Sequence, residues 1–276
     1  MEIRITTLSE NTATQGFLAE WGLSILIEVD GTKVLMDTGM SMSAAYNAQL
    51  HGIDLRDIQT VVLSHGHHDH TGGLRDVLRR KRGAVAVVGH PDIWSSKYSR
   101  SQNRDDYCGI PFAREPLESL GARFELSRKP VRLAEHVMTT GEIPMITDYE
   151  TIEDNLFVKQ GANLVPDPLA DDLGLIIQAD FGLVVVLGCA HRGIVNTVRH
   201  AQELTGQERV YAVIGGTHLF RASEERIART AADLKKMEIQ KLGVSHCTGF
   251  FASSRLADEF GDKFFLNNAG TTLTLP

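Results

Sequence analysis

The segment Ser64-His65-Gly66-His67-His68-Asp69-His70-Thr71-Gly72-Gly73 puts four histidines and a carboxylate within six residues. With 11 histidines in 276 residues, a His-x-His-x-Asp-His match arises by chance in roughly one such sequence in a thousand. A polar loop with accidental histidines is therefore set aside. Imidazole and carboxylate donors without paired thiolates suit divalent transition ions, zinc before manganese or iron, and do not suit a structural zinc knot. His65 and His67, two apart on an extended segment, can share one ion. Asp69 and His70, at the entry of the next helix, can reach a second. His68 is expected to face away, and Gly66, Gly72 and Gly73 to let the backbone bend around the pair.

Four ligands do not complete two coordination shells, so more must come from later in the chain. Three histidines follow apolar strands directly. His191 lies in Gly188-Cys189-Ala190-His191-Arg192-Gly193, His218 in Gly215-Gly216-Thr217-His218, and His246 in Ser245-His246-Cys247-Thr248-Gly249. His191 and His246 are expected as metal ligands. Two readings of His218 stand: a further ligand, or a substrate-contacting, proton-handling group that acts with Asp69 in catalysis. Cys189, in an apolar run, reads as a packing residue, with thiolate ligation as the alternative. Glu142 is a further candidate ligand.

These loops need rigid supports. Apolar runs at Leu23 to Val29 and Lys33 to Asp37 flank Asp30-Gly31, a hairpin signal. A helix through Leu50, a buried strand at Ile58 to Leu63 and a helix over Leu74 to Lys81 follow. The third quarter repeats the scheme. Leu175 to Asp180, a Gly182 turn and Leu183 to Leu187 form a second hairpin. Helices at Ile194 to Leu204 and Glu224 to Met237 then alternate with strands at Val210 to Ile214 and Leu242 to Val244. One domain over residues 1–276 is expected, with pseudo-duplicated halves at about 1–147 and 172–276. Two mixed sheets would face each other with helices outside. The polar stretches 95–111 and 148–172 read as inserted loops. The Phe250-Phe251 pair reads as a helix start that packs inward.

Composition bounds the partners. Hydrophobic residues at 42% and charged residues at 23% allow a sizeable core. A net charge of −7 argues against an electrostatically driven nucleic-acid binder. No apolar run approaches the roughly 18 residues of a membrane helix. The start, Met1-Glu2-Ile3-Arg4-Ile5, lacks the pattern of a signal peptide. Three cysteines form no even disulfide framework, which points to reduced thiols and a cytoplasmic setting.

The His65-x-His67-x-Asp69-His70 motif after an apolar strand, in a chain of two hairpin-led halves, resembles the metallo-β-lactamase superfamily. The resemblance implies an αβ/βα sandwich with a dinuclear site along one edge of the sheets. Asp37-Thr38-Gly39 matches that superfamily's Asp-x-Gly strand end, where the aspartate supports the site by hydrogen bonding. Further segments extend the likeness: Glu20-Trp21-Gly22-Leu23-Ser24, Thr140-Gly141-Glu142-Ile143-Pro144, Gly188 to Gly193 and Gly215 to His218. Together they resemble the dihydropterin–ribofuranosylaminobenzene 5′-phosphate synthase subfamily. The chain departs from the wider pattern twice. It has Thr140-Gly141-Glu142 where a Pro-Gly-His histidine is usual, and Gly188-Cys189-Ala190-His191 where a bridging aspartate is usual.

The expected function is a dinuclear metal-dependent enzyme acting on a small phosphorylated or heterocyclic substrate. Either hydrolase-type chemistry or a diphosphate-displacing condensation fits two divalent ions. Arg100 and Arg104, in the basic loop Lys97 to Arg104, are candidate substrate contacts, against a solvated loop neutralised by Asp105 and Asp106. The alternatives are a metal-loaded binding or regulatory protein with weak esterase activity and, further off, a metal-dependent nuclease. A homo-oligomer is left open.

Overall fold

Ser24–Val29 and Gly182–Leu187 are buried at nearly every position. A strand tolerates that only when both of its faces are covered. Alternate residues do go to opposite layers. Ile25, Ile27, Val184 and Val186 meet in a central core. Leu26 packs with Ala44, Leu74 and Val77, while Leu183, Val185 and Leu187 pack with Ile194, Val198 and Leu234. Three apolar layers therefore separate four structural ones: helix, sheet, sheet, helix.

The structure, a computed structural model, describes residues 1–102 and 104–276; Asn103, part of the basic loop, lies outside the described residues. The first sheet has seven strands, in the spatial order Thr272–Leu275, Ile3–Ser9, Ser24–Val29, Thr32–Met36, Thr60–Val62, Val85–Gly89, Ala122–Leu126. The second has six: Phe264–Leu266, Lys241–Ser245, Val210–Gly216, Gly182–Leu187, Gly174–Ala179, Val137–Thr139. Each sheet is mixed, an antiparallel hairpin continued by parallel strands. Helices Ser43–Leu50 and Leu74–Lys81 cover the first sheet, and Ile194–Thr205, Glu224–Lys236 and Phe250–Phe260 cover the second. The fold is the expected αβ/βα sandwich. Among the described residues no helix is long and apolar enough to cross a membrane.

Three features differ from the sequence reading. The halves exchange edges: Thr272–Leu275 pairs with Ile3–Ser9, and Val137–Thr139 pairs with Gly174–Ala179. Apolar periodicity marks a strand but not the edge it joins. The stretches read as loops carry hairpins, Lys97–Ser101 with Arg104–Tyr107 and Leu156–Gln160 with Asn163–Pro166, which together form a third, four-stranded sheet. Lys97–Ser101 and Arg104–Tyr107 are largely polar, and a cross-strand ion pair, Arg100–Asp105, stands where apolar alternation would have marked them. Phe250 and Phe251, expected to pack inward, are 81% and 83% exposed, because Ala252, Leu256 and Phe260 form the inward face of their helix.

Candidate metal centre

Every predicted ligand follows a strand, and the strand ends gather at one edge of the two sheets. Thr60–Val62 leads through Leu63 into the His65 loop, Gly182–Leu187 into Cys189 and His191, Val210–Gly216 into His218, and Lys241–Ser245 into His246. Asp37 follows Thr32–Met36. Asp37, Ala190, His218 and His246 hold left-handed backbone at φ 59°, 53°, 49° and 53°. Non-glycine residues adopt it at a cost of order 1 kcal/mol or more each, so the packing around these strand ends must hold them there. The motif glycines act through close approach instead of bending. A Cβ on Gly66 would lie 2.3 Å from the Ile93 carbonyl oxygen, and one on Gly73 2.0 Å from that of Thr38. Gly72 is pressed on Met40 in the same way.

The side chains converge in two groups. His65 Nε2 lies 3.0 Å from His67 Nδ1 and 3.3 Å from His191 Nε2. His70 Nε2 lies 3.3 Å from His246 Nε2, which is 3.2 Å from Asp69 Oδ2. Cys189 Sγ is 3.1 Å from His70 Nε2. Glu142 stands apart, bonded to His90 and Arg128. His68 lies outside these contacts. Arg100 pairs with Asp105 across their hairpin and Arg104 with Asp106 along its own strand, and no contact joins them to the histidines among the described residues.

Hydrogen bonding fixes which ring nitrogens face inward. Asp37, fully buried, accepts from the Ser64 N–H at 2.7 Å, the Ser64 hydroxyl at 2.7 Å and His70 Nδ1–H at 2.6 Å. The Ser64 hydroxyl has one proton and gives it to Asp37. Its 2.9 Å contact with His65 must then be donated by His65 Nδ1–H. In the neutral form of either ring the lone pair is therefore on Nε2, the atom that faces the cluster. His246 Nδ1 lies 2.9 Å from Asn11 Oδ1, which can only accept, so this ring does the same. Trp21 Nε1–H donates to Asp69 Oδ2 at 2.9 Å. Imidazole lone pairs and an anionic carboxylate aimed at one another suit cations between them, and outer-nitrogen partners of this kind orient metal-binding histidines.

Electrostatics separates the groups. Burial, reinforced by neighbouring histidines, holds His65 and His191 far below the usual histidine range, and burial takes His67 down to about 3. Burial opposes charge on His70 too, but Asp37 and Asp69 outweigh it and lift the group to about 9. Asp69 stays ionised, because its histidine neighbours overcome its burial. The His218 ring lies against that of His191, centroids 3.9 Å apart and planes tilted by 44°, and its Nε2 bonds Glu153 Oε2 at 2.5 Å. Burial lowers His218, yet Cys247 and Glu153 together raise it to about 10. Its Nδ1 is buried without a hydrogen-bond partner.

Sequence reasoning missed four supporting residues. Asn11 and Glu10 follow the first strand, and Glu10 accepts from the His246 N–H at 2.7 Å. Glu153 comes from a stretch read as loop. Lys97, fully buried, bonds Asp167 at 2.8 Å and Asp171 at 2.9 Å, and Asp171 accepts from the Gly66 N–H at 2.8 Å. This triad braces the loop between His65 and His67. Lys97→Met should destabilise the fold by about 3–5 kcal/mol, because two buried carboxylates lose their cation. Urea unfolding checks this, and a loss under about 1 kcal/mol would count against a bracing role.

A sequence model of the family described as the metallo-beta-lactamase superfamily matches residues 22–193. The chain is 35% identical to the 7,8-dihydropterin-6-methyl-4-(beta-D-ribofuranosyl)-aminobenzene-5'-phosphate synthase of Methanocaldococcus jannaschii, over 97% of this chain and 95% of that one. Its fold is similar to the crystal structure of Tm1679, described as a metal-dependent hydrolase of the beta-lactamase superfamily, with TM-score 0.86, 28% identity and 99% of each chain covered. It is also similar to YhfI from Bacillus subtilis, with TM-score 0.63, 14% identity and 99% of each chain covered, a likeness of fold alone.

Proposed function

The chain belongs to the metallo-β-lactamase superfamily and is a metal-dependent enzyme of it, and from that premise we propose a dinuclear enzyme that displaces a phosphate-type leaving group from a small phosphorylated heterocyclic substrate. The observation that carries the reading is the pair of converging groups, His65/His67/His191 and Asp69/His70/His246, with Asp37 orienting one ring in each. Each group would hold one divalent ion, with zinc favoured by the donors. When bound, such ions neutralise charge on a leaving oxygen and acidify a water.

His218 supplies the proton. Cys247 and Glu153 hold it as the imidazolium, and its buried Nδ1–H, which has no hydrogen-bond partner, is the proton it would give to a substrate oxygen. Asp69 takes the Trp21 N–H and faces His246, which fixes its carboxylate at the mouth of the site. The likeness to a synthase supports condensation, and the likeness to a protein described as a hydrolase supports hydrolysis as the second reading. Water as the acceptor separates the two outcomes.

The test pairs composition with turnover. Elemental analysis of metal-replete protein should give close to two transition ions per chain. Turnover should appear on a panel of phosphorylated and diphosphorylated heterocycles, with and without an aromatic amine as acceptor, and should cease on chelation. His218→Gln should keep both ions and lose about 10²–10⁴-fold in rate. Less than about half an ion per chain after reconstitution sinks the dinuclear site. Full metal with no turnover on any panel member favours a binding or regulatory protein.

A further inference from the structure

We propose that the Cys189 sulfur is a ligand shared by both ions, the one donor that joins the two histidine groups. The inference rests on the dinuclear reading above and adds to it the group between the ions. Cys189 Sγ lies within 4.8 Å of ring nitrogens of His65 and His191, and within 4.8 Å of ring nitrogens of His70 and His246. Among the described residues no other side chain belongs to a candidate cluster on each side of the centre. The sulfur is buried, and its nearest polar neighbour in the second group is His70 Nε2, at 3.1 Å. A cysteine that merely fills space has apolar neighbours; this one faces ring nitrogens from two loops.

The backbone around it leaves no slack. A Cβ on Gly188 would lie 2.2 Å from Ser64 Oγ, so the strand end is pressed directly on the Asp37–Ser64 pair that orients His65 and His70. Ala190, next in the chain, turns left-handed and carries His191 to the other group. Cys189 therefore sits between its two neighbours' targets by the same turn that delivers His191.

Ligation would exchange the S–H bond for sulfur–metal bonds. The thiol proton leaves to solvent, the sulfur keeps its electron pairs and its single negative charge, and no oxidant or reductant is needed. A soft shared donor favours zinc or ferrous iron over manganese, magnesium or calcium. The site would then discriminate among metals more sharply than an all-nitrogen-and-oxygen centre.

Zinc K-edge X-ray absorption on the fully zinc-loaded chain reads the sulfur directly. A shared Cys189 gives about one sulfur per zinc, at about 2.3 Å. A sulfur bound to one ion alone gives about half that number, and an unligated cysteine gives none. Cys189→Ser should abolish the sulfur contact, whereas Cys247→Ser should leave it unchanged. Cys189→Asp should restore two ions with no zinc–sulfur contact, which separates ligation from folding. Two zinc ions with half a sulfur each, with none, or with sulfur that survives Cys189→Ser overturns the shared ligand and leaves the dinuclear centre standing. One ion per chain or fewer, by elemental analysis on the same samples, overturns both.

Discussion

Asp37→Asn is expected to weaken the hold on both ions at once, by on the order of 10–100-fold or more for each, in a protein that stays folded. Asp37 Oδ1 accepts from the Ser64 backbone N–H, a group that can only donate. The asparagine oxygen is pinned there, and its amide nitrogen takes the Oδ2 position. That nitrogen donates, so His70 Nδ1 must become an acceptor and its proton moves to Nε2, the atom that faces Cys189 and His246. The Ser64 hydroxyl, now receiving from the amide, turns its proton to His65 Nδ1, and His65 also carries its proton inward. One isosteric change thus swaps the tautomers of two ligands in two groups. Competition with a chelating dye measures the affinities, and circular dichroism checks the fold. Unchanged affinity would show that Asp37 does not set the tautomers. Loss of one ion only would show that the Ser64 relay to His65 fails.

The sequence disclosed the parts of this centre that repeat a local rule. Strands buried on both faces read as unbroken apolar runs, and Gly-rich segments just after them named His191, His218 and His246 as candidates. The structure brings those loops to one edge with the motif histidines. What the sequence hid are contacts between distant loops. His246 is placed by Asn11 and Glu10, some 235 positions away, and no periodicity links those residues. Lys97 looked like one cation of a solvated loop; its burial depends on two aspartates from the segment that follows a different hairpin. Arg100, three residues on, remains at the surface with Asp105. Cys189 read as packing because its flanks are apolar, and only the approach of His70 from the other half shows that its sulfur faces polar atoms. Periodicity reports which face of an element is buried. It is silent on what the buried polar groups meet.

The two histidines contributed by the second half should divide the ions between them and give them different responses to acid. His191→Ala should leave only the ion at Asp69, His70 and His246, and His246→Ala only the ion at His65, His67 and His191. The ion left in His246→Ala meets rings that burial already keeps neutral, with His67 near 3, so around neutrality it displaces no proton from them. The ion left in His191→Ala must displace the proton that Asp37 and Asp69 keep on His70 up to about pH 9. The sign follows from competition. Below that value each unit of rising pH removes a competing proton, so the affinity for this ion climbs about tenfold per unit and levels above it. Any proton lost by Cys189 is common to both variants and cancels in the comparison. Zinc titrations of the two variants between about pH 7 and 9, against a chelator of known affinity, should therefore give a slope in His191→Ala that is steeper by about one proton. Equal slopes would place the His70 proton elsewhere. If either variant keeps both ions, its histidine is not a ligand, and the division of the centre into these two groups fails.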